Sequence, residues 1–232
     1  MTEALPQQTT RGEQAKNKLI QAAIAQFGEY GMNATTRDIA ALAEQNIAAI
    51  NYYFGSKEAL YLACAHWIAG FITERTRLPL QANSSGHDVR LTDKTTARQR
   101  LHQLSRTMLH LLTDDATLNI SKFVTREQFS PTEAYTVLHE RLFLPMHTQI
   151  AHLVALYSGL SPDATDTVLH THGILGEILG FRLGRNTLLL RCGWQQFDPA
   201  GTDQIARTVG QHIDFILQGL SAQRGAVNDE KK

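Results

Sequence analysis

Apolar residues recur at three- and four-residue steps along most of the chain, and strictly alternating β-branched runs are few, so the pattern predicts an all-α protein. The first stretch, Arg11 to Tyr30, places Leu19, Ile20, Ala23, Ile24 and Phe27 on one helical face. Gly31 follows, where a helix commonly ends in a left-handed residue. Thr35 or Thr36 then caps a second helix, about Thr36 to Ala43, in which Asp38 suits the positive helix end and Ile39, Ala40 and Ala43 face a core. After Glu44 and Gln45, Asn46 caps a third helix running through Ile50 to Tyr53. Each of these two helices has about two turns, too short to be stable alone, so both must be held by packing. Gly55-Ser56 breaks the chain and Ser56 caps a long fourth helix, Lys57 to about Arg77, which carries Leu60, Tyr61, Cys64, Trp67, Ile68 and Phe71 and ends at Pro79.

The stretch Gln81 to Asp93, with Asn83-Ser84-Ser85-Gly86, reads as a mobile linker. Amphipathic segments resume at 94–113, 116–128, 132–157, 163–184 and 200–220, with Ser130-Pro131 and Ser161-Pro162 marking helix starts. The pattern therefore predicts about nine helices, divided into a disordered arm (1–10), a small helical domain (11–57), a larger one (58–220) and a frayed tail (221–232).

Composition narrows the picture by exclusion. A chain of 232 residues can bury a full core, and its 43% hydrophobic and 19% charged residues are ordinary globular usage. The longest apolar stretch, Gly173 to Phe181, is interrupted by Glu177 and flanked by His172 and Arg182, short of the roughly 18–20 apolar residues a membrane span needs. Met1 to Thr10 is polar and lacks the apolar core of a signal peptide, so a cytoplasmic protein without a membrane partner is expected. Cys64 and Cys192 show no Cys-x-x-Cys spacing, which suggests neither a disulfide framework nor a zinc ribbon. Basic and acidic side chains balance at 22 each, and residues 11–57 carry five basic against four acidic groups, a net of +1. Coating of nucleic acid by bulk charge is thereby excluded.

Spacing says more than charge. Two short helices joined by a three-residue turn form the geometry that projects a recognition helix into a major groove about 12 Å wide. From Thr35 to Leu60 the chain reads TTRDIAALAEQNIAAINYYFGSKEAL and resembles the TetR family of one-component bacterial repressors. Phe27, Gly31, Thr36, Ile39, Ala40, Ala43, Ala48, Tyr53, Phe54, Lys57, Glu58 and Leu60 follow that family's pattern in order. The combination of Gln45 to Ile50 with Tyr52 to Lys57 is similar to the CecR subgroup, and the likeness extends through Ser121-Lys122-Phe123 and His170 to Leu190. Two departures stand out: Glu44-Gln45-Asn46 replaces the usual Gly-Val-Ser turn, and Asn51 stands where an aromatic is common. A non-glycine residue held at positive φ in that turn costs about 1 kcal/mol.

The candidate DNA contacts combine the resemblance with side-chain chemistry. Thr35 and Thr36 lie at a helix N-terminus, where hydroxyls and N–H groups bind a phosphate or simply cap. Arg37 reaches a phosphate or a base edge. Gln45, Asn46 and Asn51 can pair bidentately with adenine, Asn46 being also the expected cap, while Ile47 and Ala48 offer apolar contact to thymine methyls. Of the successive Tyr52 and Tyr53, one packs inward and the other turns its hydroxyl to phosphate; the family pattern implies that Tyr52 is the outward one. Lys57 adds a second phosphate anchor.

One subunit offers few base contacts, so a homodimer on palindromic double-stranded operator DNA is expected. Gly173, Gly176 and Gly180 leave a smooth stripe that admits a neighbouring helix, of a partner or of the same subunit; the resemblance implies a dimer bundle over Pro162–Gly184 and Pro199–Leu220, with Phe215, Ile216 and Leu217 supplying apolar area. The family's remaining helices commonly enclose a small-molecule effector cavity, for which His110, Arg126, Glu127, His147, His172 and Glu177 are polar candidates, each also able to serve as a surface or helix–helix hydrogen-bonding group. The implied function is a ligand-responsive repressor of transporter or drug-sensitivity genes; the competing reading is a helical ligand- or protein-binding module without DNA binding. No cofactor or metal is expected: His170 and His172 lie two apart on a helix and point some 200° from each other, and no nucleotide-binding or nucleophile motif occurs, which argues against an enzyme.

Overall fold

A computed structural model describes residues 11–77 and 93–229, and no strand occurs among the described residues. The helices are α1 (Arg11–Tyr30), α2 (Thr36–Leu42), α3 (Ala48–Phe54), α4 (Lys57–Thr76), α5 (Lys94–Thr113), α6 (Leu118–Phe129), α7 (Glu133–Leu138), α8 (Leu144–Ser158), α9 (Thr165–Leu183), α10 (Arg185–Cys192) and α11 (Pro199–Asp229). Single turns at Gly31–Asn33 and Asp115–Thr117 link α1 to α2 and α5 to α6. The expected all-α class holds, and α1 and α5 fall on their expected bounds. The segment expected as one helix over 132–157 is instead α7 and α8 joined through a wider π-helical turn, His139–Phe143. Helix α10 was not foreseen, and α11 continues past Leu220 to Asp229. The expected arm at 1–10 and nearly all of the expected linker lie outside the described residues.

The chain forms two compact units. The first comprises residues up to Phe71 together with Asn119–Arg141, so that α6 and α7 pack with α1 to α4 and the unit extends beyond the expected 11–57. Its core is built on Phe27, Ile39, Ile50, Leu60, Ile68 and Phe123, all fully buried. The Tyr61 ring lies between Phe27 (4.8 Å, edge-on) and Phe123 (4.7 Å), and its hydroxyl donates to the Glu127 carboxylate at 2.6 Å. Burial, reinforced by that hydrogen bond, raises the Tyr61 pKa, so the phenol stays neutral. Glu127 also accepts from the backbone N–H and the hydroxyl of Thr132, both at 3.0 Å, so a fully buried carboxylate receives three hydrogen bonds.

The second unit comprises Ile72–Leu118 and Leu142 onward. Leu101, Leu104 and Leu109 of α5, Leu153 and Val154 of α8, Ile174 and Ile178 of α9, and Val209, Ile213 and Leu217 of α11 make its continuous core. Two matching polar groups flank the α5–α11 contact: Asp214 takes Arg98 (2.6 Å) and His102 (2.9 Å), and Asp203 takes Arg106 (2.7 Å) and His110 (3.3 Å). No helix among the described residues is long and apolar enough to cross a membrane.

Candidate nucleic-acid interface

The second helix starts and stops on identifiable groups. Thr35 accepts from the Asp38 N–H at 3.1 Å while its hydroxyl donates back to the Asp38 carboxylate at 2.6 Å, which settles the cap between Thr35 and Thr36 in favour of Thr35. At the other end Glu44 sits at φ +55°, the one non-glycine residue with positive φ among the described residues. There the Gln45 N–H reaches the Ala40 carbonyl (2.9 Å) and the Glu44 N–H the Ala41 carbonyl (3.1 Å), the paired bonds of a Schellman stop. The departure from glycine therefore leaves the turn intact. An exposed bond from Lys18 Nζ to the Glu44 carboxylate (3.1 Å) and one from Gln45 Nε2 to the Glu44 carbonyl (3.0 Å) hold it further.

Asn46 then caps α3, its Oδ1 accepting from the Ala48 N–H at 2.8 Å. Ile50 is fully buried and fixes the rotation of α3 against the core. That rotation turns Ile47, Ala48, Asn51 and Tyr52 outward on one exposed face, with Tyr52 82% exposed. Tyr53 is half-buried, edge-on to Tyr52 (4.9 Å) and to Phe54 (6.4 Å). The two tyrosines thus part in the expected directions. Arg37 is exposed on α2, and Thr36 and Gln45 are half-buried.

Lys57 has a task that spacing did not reveal. Its ammonium donates to the carbonyls of Met32 (2.8 Å) and Ala34 (3.3 Å), tying the first turn of α4 to the α1–α2 connection. A 25-residue separation leaves no local signal of such a contact.

The other candidates separate by unit. Arg126 and Glu127 belong to the first, where Arg126 donates to the Glu29 carbonyl (2.8 Å) and Glu127 completes the Tyr61–Thr132 group. His110, His147, His172 and Glu177 belong to the second. His110 pairs with Asp203, Glu177 with His212, and only His147 and His172 come together, with ring centres 6.2 Å apart. Burial, then the nearby His172, lowers the His147 pKa. Arg126, Glu127 and Glu177 are thus engaged in the helix–helix hydrogen bonding held open as their alternative, and His110 in an ion pair between helices. Along α9, Gly173, Gly176 and Gly180 are exposed, and a Cβ built on any of them meets nothing within 4 Å, so no helix among the described residues covers them. Phe215 of α11 is 68% exposed, whereas Ile216 packs against the core.

Two family models match the chain: bacterial regulatory proteins of the tetR family over residues 19–64, and the C-terminal domain of the HTH-type transcriptional dual regulator CecR over residues 97–220. The dual regulator CecR of Shigella flexneri is 54% identical over 216 residues, covering 93% of this chain and 97% of that protein. Solved structures with the same fold include a transcriptional regulator from Rhodococcus sp. Rha1 (TM-score 0.61, 16% identity, 88% of this chain and 96% of that one). Another is AibR in complex with isovaleryl coenzyme A and operator DNA (TM-score 0.60, 18% identity, 85% and 97%). The helix-turn-helix geometry and these matches over nearly the whole length make the chain a member of the tetR family of bacterial transcription regulators, with a C-terminal domain of the CecR type.

Proposed function

We propose that this regulator binds a palindromic operator in the cytoplasm as a homodimer, with α3 of each subunit in a major groove, and leaves it when a small molecule binds the second unit. The observation that carries the reading is the rotation of α3: Ile50 is buried and Ile47, Ala48, Asn51 and Tyr52 stand together in solvent. Asn51 can read adenine bidentately, and Ile47 and Ala48 can meet thymine methyls. Gln45 contributes beside them; Asn46 serves mainly as the cap. Tyr52, Thr36, Arg37 and the remaining N–H of the Lys57 ammonium face phosphates, with Thr35 placing the N-terminus of α2.

Dimerisation follows the uncovered glycine stripe of α9 together with Phe215 of α11, an exposed apolar surface of the kind that marks an association site. The target genes in this reading encode transport or drug-sensitivity functions. The intact turn at Glu44 removes the one hint that favoured a module without DNA binding.

A band shift on the DNA upstream of the protein's own gene tests the reading. A complex that weakens steeply with salt is expected, because each phosphate contact adds about 0.9 to the slope. Asn51→Ala should relax sequence preference, and Lys57→Ala should weaken all sites alike. Failure to form a complex at any low-salt condition would overturn the reading.

A further inference from the structure

The C-terminal end of α9 carries an unusual arginine. Arg182 is 94% buried by its 6% exposure, and its Nη2 donates to the Asp114 carbonyl (2.6 Å) and the Thr117 hydroxyl (2.7 Å). Among the described residues its Nε and Nη1 are buried without a partner. Three N–H donors of a cation are thereby taken from water with nothing accepting from them, a desolvation cost that an accepting group would relieve. Arg185, one turn on at the start of α10, lies over the Phe197 ring at 5.4 Å, and its Nε is likewise buried and unpaired. Burial pulls the Arg182 pKa below its ordinary value, against the attraction of Asp115, yet an arginine remains charged at any working pH.

Two carboxylates, Asp115 and Asp114, attract these guanidinium groups, and of the two only Asp115 forms an ion pair, with Arg185. That carboxylate, Asp115, bonds Arg185 at 3.2 Å, is 62% exposed and makes no hydrogen bond to Arg182 among those resolved. It can swing into water at little expense, since solvent screens a pair whose carboxylate is exposed. From these observations we propose that Arg182 and Arg185 form a binding site for the anionic group, carboxylate or phosphate, of a small molecule, with Asp115 as the gate that the incoming anion displaces.

Planar guanidinium donors suit both groups, and the Phe197 face holds Arg185 in orientation. The site is assembled from three connections: the Asp114–Thr117 turn after α5, the α9–α10 corner, and the segment bearing Phe197. The chain passes from the second unit into the first after Leu118, one residue beyond Thr117, so an anion here would lie beside one of the three segments that join the units covalently. Its role as the effector's anchor rests on the ligand-responsive reading above; the site itself does not.

Isothermal titration of the full-length protein at constant ionic strength, with inorganic phosphate, hexanoate and neutral hexanamide as probes, tests the site. Saturable binding of phosphate or hexanoate and none of hexanamide is expected, and the anion that binds tells a phosphate ester from a carboxylic acid. Arg185→Gln should weaken binding by roughly tenfold, about the worth of one charge-assisted contact. Asp115→Asn should tighten it several-fold, because the competing carboxylate is gone. A purely structural role for Arg182 as a cap on α5 predicts neither change.

The proposal is overturned if neither anion binds wild type or Asp115→Asn, or if Arg185→Gln binds as well as wild type. A band shift run beside it keeps the two readings apart. Anion binding that leaves DNA affinity unchanged upholds the site and removes its effector role. Absence of any DNA complex defeats the operator reading and leaves the titration result standing.

Discussion

In the first unit the carboxylate at the helix contact, Glu127, is fully buried and takes three hydrogen bonds from Tyr61 and Thr132. In the second, Asp214 and Asp203 lie at the rim of the α5–α11 contact, each serving an arginine and a histidine four residues apart on α5. The same difference runs through the glycines. A Cβ on Gly28 would stand 2.9 Å from the Asn119 backbone carbonyl, which cannot give way, whereas one on Gly210 would meet the His102 imidazole at 3.0 Å, and a side chain can swing. The contacts at Glu127 and Gly28 thus leave little slack in the first unit, and the α5–α11 contact carries adjustable polar groups at its edge. A rigid platform suits a helix that must fit a groove, and an adjustable contact suits a unit proposed to respond to a ligand.

The largest effect should come from Glu127→Ala, which strands the buried Tyr61 hydroxyl and removes the acceptor of the exposed Thr132, and should cost about 3 kcal/mol. Denaturant unfolding followed by tyrosine fluorescence reads it. Glu127→Gln should cost less, because its amide oxygen still accepts from Tyr61 while its N–H groups face Thr132. A loss under about 1 kcal/mol for the alanine variant would break the comparison at its first term.

Gly28→Ala comes next. Forcing α1 away from the Asn119 carbonyl should cost about 1–3 kcal/mol, the usual range for overpacking, and Gly210→Ala clearly less. If both cost the same in thermal unfolding, the distinction between backbone and side-chain neighbours is the wrong one.

Neither contact was legible in the sequence, and the reason is physical. Helix bounds are local: Gly31, Thr35, Asn46 and Ser56 announce their caps within three residues, so α1 and α5 were placed to the residue and α2 to α4 within one or two. The outward residues of α3 were legible from side-chain chemistry joined to the family resemblance, which gave Tyr52 as the outward tyrosine. By contrast the Tyr61–Glu127 bond spans 66 residues and the Arg98–Asp214 pair 116, and no periodicity encodes which distant helix a polar residue meets. Glu127 and Arg126 were therefore grouped with His110 as effector candidates, although they lie in the other unit. Helix α10 was missed because eight residues between glycines carry too little pattern.

At the rim of the second unit, Asp214→Asn should cost only about 1 kcal/mol at neutral pH, since Arg98 is half-exposed and solvent screens the pair. Its pH dependence is more telling. Burial works to raise the Asp214 pKa, but hydrogen bonds and charge from Arg98 and His102 outweigh it and leave the carboxyl below its ordinary 3.8. A depressed folded-state pKa gives stability that is present above the unfolded value and is lost as pH falls through the folded one. The difference in Tm between wild type and Asp214→Asn should therefore persist above about pH 4 and shrink on further acidification. A difference that grows with acid would contradict the sign.

The smallest effect concerns the turn between α2 and α3. Glu44 holds a left-handed conformation that costs an L-residue about 1 kcal/mol relative to glycine, partly offset by its exposed bond to Lys18. Glu44→Gly should therefore stabilise the first unit by roughly 0.5 kcal/mol, while Lys18→Ala, which removes only the offset, should destabilise by no more than that. Since the Schellman bonds run through backbone atoms, Glu44→Gly should leave operator affinity unchanged in the band shift. A lower affinity would mean that the glutamate itself acts at the DNA, and the turn would then contribute a side-chain contact as well as its backbone geometry.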